Sequence, residues 1–176
     1  MTTGTPASSD VSVQELCSLL ADTLLHKKLK LATAESCTGG LIAGACTDLS
    51  GSSNWFERGF VTYSNQAKTD MLGVAALLIE RHGAVSEEVV LAMVQGAVKH
   101  SNSHAQVAVA VTGVAGPSGG SKSKPVGTVW FGWNIQGQLH SEVRFFAGDR
   151  AAVRAATVRH ALQQLLERLR SAVLPS

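Results

Sequence analysis

LATAESCTGGLIAGACTDL, residues 31–49, is the stretch on which the fold turns. Leu31–Glu35 is short, small and apolar, the composition of a strand buried on both faces. Ser36–Gly40 is a run of turn residues, and Leu41–Leu49 then has the apolar content of a helix. A buried strand handing over to a helix through a tight turn is the building block of α/β folds.

The flanking sequence extends the alternation. Upstream, Asp10 is a candidate N-cap, and Val13, Leu16, Leu20 and Leu24 recur at helical spacing to about Lys28. Downstream, Gly51–Asn54 breaks the chain and Phe60–Tyr63 reads as a second strand. Asn65 is placed to cap a short helix through Leu72, stopped by Gly73. Ser86 caps another, with Glu87 and Glu88 in its first turn and Val89, Met93 and Ala97 facing inward. Gln106–Val111 predicts a strand, followed by a Gly-rich loop from Gly113 to Gly127. Thr128–Ile135 and Leu139–Phe146 flank Gln136-Gly137-Gln138 as a hairpin, and Asp149 caps a last helix ending near Arg170. The pattern predicts a single-domain layered α/β/α fold with a mixed central sheet over residues 10–172, with strand order left open. Met1–Ser9 is expected to be a disordered polar leader; it has no basic group and no apolar run, so it is not a secretory signal.

Composition narrows the function. The chain has 176 residues, 45% hydrophobic and 16% charged, enough to bury a core. Its 15 Lys and Arg against 13 Asp and Glu leave a net charge of +2 with no dense basic stripe, which argues against a nucleic-acid partner. Apolar runs fall far short of the roughly 20 residues of a membrane helix. Cys17, Cys37 and Cys46 form no CxxC pair, so neither a disulfide framework nor a metal site is expected, and a cytoplasmic location is.

Three features carry possible chemistry. In the Glu35–Gly40 turn, the Ser36 hydroxyl and the Cys37 thiol sit where a strand meets a helix, and the unpaired amides of the helix start can hold a phosphate or an oxyanion. The same residues are also the ordinary vocabulary of a turn. Lys68 lies near a helix start, which disfavours an ammonium; buried, it would supply a neutral amine as a base, whereas solvated it is a surface lysine. Thr112–Gly120 (TGVAGPSGG) is a Gly-rich loop directly after a buried strand, where α/β sheets bind ligands, but it lacks the P-loop frame. Arg150 and Arg154 stand in the first turns of the last helix, against its dipole.

Taken together, LATAESCTGG (31–40), VTYSNQAK (61–68), GAVS (83–86), TGVAGPSGG (112–120), KPVGTV (124–129) and GDRAAVR (148–154) resemble, in order, the CinA C-terminal domain family, from about Val13 to Leu169. That family contains nicotinamide-nucleotide amidases. The resemblance implies a Ser/Lys amidohydrolase converting nicotinamide mononucleotide and water to nicotinic acid mononucleotide and ammonia. It assigns Ser36 as nucleophile, Lys68 as general base and Tyr63 as a third catalytic-site residue. Thr38, Gly39, Gly40, Thr112, Gly113 and Arg150 are implied to bind substrate. A homo-oligomer without cofactor or metal is implied, as is a stand-alone amidase, since the family's larger members carry a further N-terminal domain where this chain has Met1–Ser9. The alternatives are a non-catalytic nucleotide-binding module and an amidase of another small amide, including one with Cys37 as nucleophile.

Overall fold

The computed structural model describes residues 11–172; the expected leader Met1–Ser9 and the expected cap Asp10 lie outside them. The elements are α1 (Val13–Lys27), β1 (Leu31–Glu35), α2 (Leu41–Thr47), β2 (Phe56–Val61), α3 (Asn65–Leu72), α4 (Ala76–His82), α5 (Glu87–Lys99), β3 (Val107–Gly113), β4 (Thr128–Ile135), β5 (Gln138–Phe145) and α6 (Arg150–Ser171). The strands form one sheet in the order β2-β1-β3-β4-β5. β2, β1 and β3 run parallel, and β4 and β5 join antiparallel as the expected hairpin. Helices α1, α2 and α6 cover one face, and α3, α4 and α5 cover the other. This is the expected α/β/α sandwich on a mixed sheet.

Side-chain alternation separates two cores. Leu31, Val107, Val109 and Val111 face α1 and α6, where Leu20, Leu24, Leu162, Leu165 and Leu169 are buried. Ala32, Ala34, Ala108 and Ala110 face α5. Their small size lets α5 seat Val89, Val90, Met93 and Val94 directly on the sheet. A Cβ on Gly132 of β4 would stand 3.0 Å from the Val90 carbonyl oxygen, so the α5 backbone itself lies against β4.

Several boundaries differ from expectation. The α1 cap is Ser12, which forms a reciprocal capping box with Glu15, and the helix stops one residue early because Lys28 takes a left-handed conformation. α2 ends at Thr47 instead of Leu49. β2 occupies Phe56–Val61, not Phe60–Tyr63. It is an edge strand, and edge position tolerates its ion-paired Glu57 and Arg58. Ser64, not Asn65, caps α3 by accepting from the Ala67 amide at 3.0 Å. Helix α4 was not expected at all. Its cap position is Ala75, which makes no side-chain bond, so the usual start signal is missing.

Candidate active site

The carboxyl ends of the three parallel strands converge, which is where open α/β sheets take their ligands. β1 lies between the other two and is pinned to both beyond its last residue. The Ser36 amide donates to the Val111 carbonyl at 3.2 Å, and the Thr62 amide donates to the Glu35 carbonyl at 2.8 Å. Alternation along β1 then sorts the side chains of the turn. Glu35 points toward α2, Ser36 toward α3, and Cys37 back into the core shared with α1 and α6.

Glu35 is 1% exposed and pairs with no basic side chain among the described residues. Its carboxylate instead accepts from the Thr38 hydroxyl at 2.6 Å and from the amides of Ile42 and Ala43 at 2.8 and 3.0 Å. The expected anion-binding amides of the α2 start are therefore partly occupied by the protein's own carboxylate. Gly40, at the α2 cap position, has no side chain to do this work. An acid ending a buried strand just before such an uncapped helix was the signal for Glu35 that sequence reasoning passed over. Thr38, Gly39 and Gly40 shape this turn but line neither of the cavities described below. Both glycines need their left-handed conformation there, with φ of 59° and 103°.

Lys68 is buried, with 1% exposure. Its Nζ lies 3.1 Å from Ser36 Oγ, 2.9 Å from the Thr62 carbonyl oxygen and 3.3 Å from that of Tyr63. Burial lowers its pKa from 10.5 to about 8. With Ser64 as cap, Lys68 is the fourth residue of α3, and burial, not the helix start, is the dominant cause of the shift. A neutral amine fits the three partners: its two N–H groups donate to the carbonyls and its lone pair accepts the Ser36 hydroxyl proton. Cys37 is buried too, and desolvation raises its thiol to about 11, so it stays protonated near neutrality.

A cavity of about 230 Å³ opens on this pair and is also lined by Tyr63, Thr112, Gly113 and Arg150. Tyr63 is 60% exposed rather than core-facing, and its hydroxyl accepts from Arg150 Nη2 at 2.9 Å. Arg150 Nη1 donates to the Gly116 carbonyl at 2.8 Å, so the arginine links the β2–α3 connection, the Gly-rich loop and α6 across the rim. Thr112 donates its hydroxyl to Ala84 O at 2.8 Å, fixing the α4–α5 connection as one wall. A Cβ on Gly113 would approach Val129 Cγ2 to 2.7 Å, which holds that position to glycine where β3 meets β4. A second cleft of about 660 Å³ shares Ala115 and Arg150 with the first and continues along the start of α6 past Arg154. Among the described residues no three His, Cys, Asp or Glu side chains gather as a metal site, and no helix is long and apolar enough to cross a membrane.

The family model of the CinA C-terminal domain matches residues 13–169. The chain belongs to the CinA C-terminal domain family. Among curated family members, the nicotinamide-nucleotide amidohydrolase PncC of Pseudomonas putida is 54% identical over 155 residues, covering 88% of this chain and 96% of its own. That of Escherichia coli strain K12 is 48% identical over 158 residues, covering 89% and 94%. The crystal structure of a competence-damaged protein (CinA) superfamily protein from Escherichia coli superposes with a TM-score of 0.87 at 42% identity, covering 93% of this chain and 94% of that one. A competence/damage inducible protein from Agrobacterium tumefaciens gives 0.85 at 43% identity, covering 97% and 100%. The CinA family thus supplies both the fold and relatives named for amide hydrolysis on a nicotinamide nucleotide.

Proposed function

We propose that this chain is a nicotinamide-nucleotide amidohydrolase working through Ser36 and Lys68. The observation that carries the reading is the buried Lys68 Nζ, 3.1 Å from Ser36 Oγ, with its pKa brought down to about 8. Neutral Lys68 takes the Ser36 proton as Oγ forms a bond to the carboxamide carbon, giving a tetrahedral oxyanion. Lys68 then gives that proton to the amide nitrogen, the C–N bond breaks and ammonia leaves. Water attacks the acyl ester, Lys68 removes its proton, and collapse returns the proton to Ser36 and releases the acid. The sum is amide plus water to acid plus ammonia.

The 230 Å³ cavity suits the pyridine ring, with Tyr63 and Thr112 at its walls. The adjoining cleft beside Arg150 suits the ribose 5′-phosphate. Thr38, Gly39 and Gly40 serve by holding the nucleophile turn in shape. A homo-oligomer and a cytoplasmic location belong to the same reading. Leu41, Val61 and Tyr63 expose apolar area near the site, and Cys17, Cys37 and Cys46 are free thiols.

Ammonia release by purified protein tests this directly. Nicotinamide mononucleotide should be hydrolysed, and its kcat/KM should exceed that of free nicotinamide by a large factor, since the phosphate offers remote binding energy. Because the Ser36–Lys68 pair supplies both nucleophile and base, activity should survive prolonged chelation. Binding of the nucleotide without turnover would favour the non-catalytic module instead.

A further inference from the structure

The oxyanion of the proposed reaction needs backbone donors, and the Ser36 amide is already committed to Val111. The next amide belongs to Cys37, which lines the cavity and whose N–H donates to no oxygen among the described residues. We infer that Arg154 is a positioning residue for this Cys37 amide, an assignment that rests on the amidase reading.

Arg154 lies half-buried on α6 and reaches back to the nucleophile turn. Its Nε donates to the Cys37 carbonyl at 3.1 Å and its Nη2 to the Thr38 carbonyl at 3.2 Å. A trans peptide is planar, with N–H opposed to C=O, so holding a carbonyl also aims the next amide. Holding Thr38 O aims the Gly39 amide, which donates to the Ser36 carbonyl at 3.0 Å. Holding Ser36 O in turn aims the Cys37 amide. Two planar peptides thus connect a guanidinium on α6 to the donor beside the nucleophile. The geometry is specific to arginine: only the guanidinium fork offers two parallel donors to successive carbonyls, and lysine presents a single point charge. Gly39 lies directly beneath the fork, where an added Cβ would stand in ordinary contact, 3.6 Å, with Arg154 Nη2. Glu35 holds the same turn and the start of α2 through Thr38, Ile42 and Ala43. The turn is therefore held between the Glu35 carboxylate and the Arg154 guanidinium.

The test pairs kinetics on nicotinamide mononucleotide with amide ¹⁵N–¹H resonances of the ligand-free protein, for wild type, Arg154→Lys and Arg154→Ala. Loss of an entire oxyanion donor costs about 100- to 1,000-fold in kcat, so loss of its alignment should cost about 10- to 100-fold. KM should stay within about threefold, Arg154→Lys should fall between, and the Cys37 and Gly39 amide resonances should move while the melting temperature holds. A raised KM with unchanged kcat would overturn the inference and make Arg154 a contact for the substrate's phosphate in the adjoining cleft. Unmoved Cys37 and Gly39 resonances would overturn it as well. Wild-type protein that released no ammonia would sink the amidase reading itself, with the resonances still reporting whether Arg154 holds the turn.

Discussion

At the residue scale the site reduces to one proton and where it can reside. A solvated lysine is charged at neutral pH and useless as a base; burial of Lys68 brings its pKa to about 8, within reach of the working range. kcat/KM should therefore rise with pH on a limb near 8 that belongs to the coupled Ser36–Lys68 pair, measured as initial rates across pH 6–10. Lys68→Arg should stay inactive across that whole range, because a guanidinium keeps its proton. Ser36→Ala and Lys68→Ala should each remove most turnover, and the double variant should be little worse than either. Cys37→Ala should keep substantial activity, since the thiol points into the core and is held protonated by burial. An active Ser36→Ala beside a dead Cys37→Ala, at equal melting temperatures, would move the chemistry one residue along the chain.

At the element scale, the proposed chemistry depends on how α3 is seated, because α3 carries Lys68. α3 ends against α5 at Gly96, where an added Cβ would fall 2.1 Å from the Leu72 carbonyl oxygen. That neighbour is backbone and cannot rotate away, so α3 has to shift. Gly96→Ala should cost about 2 kcal/mol or more of stability in urea unfolding, although alanine is the better helix former. It should also lower kcat by displacing Lys68 from Ser36. A variant as stable as wild type would show that the α3–α5 contact is not the constraint the geometry describes. The elements also show where local signals suffice. Ser86 and Asp149 were legible as caps because a side chain accepts from an amide three residues on, a relation contained in four residues. α4 was not, because its cap position carries no such side chain and the helix is kept by packing of Ile79 in the α5-side core.

At the scale of the whole molecule, the buried amine leaves a mark on stability. Folding lowers the Lys68 pKa from 10.5 to about 8, so between those pH values the unfolded chain binds more protons and stability rises with pH. The shift corresponds to about 3 kcal/mol, full below pH 8 and gone above 10.5. Wild-type stability relative to Lys68→Met should therefore increase by up to about 3 kcal/mol from pH 7 to pH 10.5, other titrations cancelling in the difference. A flat difference in urea unfolding across that window would mean that Lys68 is not desolvated. By itself, the sequence determined the alternation of strands and helices, the α/β/α class, the turn after β1 and, through its ordered blocks, the family. Those signals are periodicity, capping and turn chemistry, which act over a few residues. Only the tertiary structure decided that β1 lies between β2 and β3, which brings Lys68 to Ser36 across 32 residues and Arg150 to Tyr63 across 87. It alone turned Lys68 from a surface cation into a buried amine and gave Glu35 and Arg154 their hold on the turn. The reason is that burial and pairing between distant segments are properties of packing, and no local pattern of residues encodes which strand will be the neighbour.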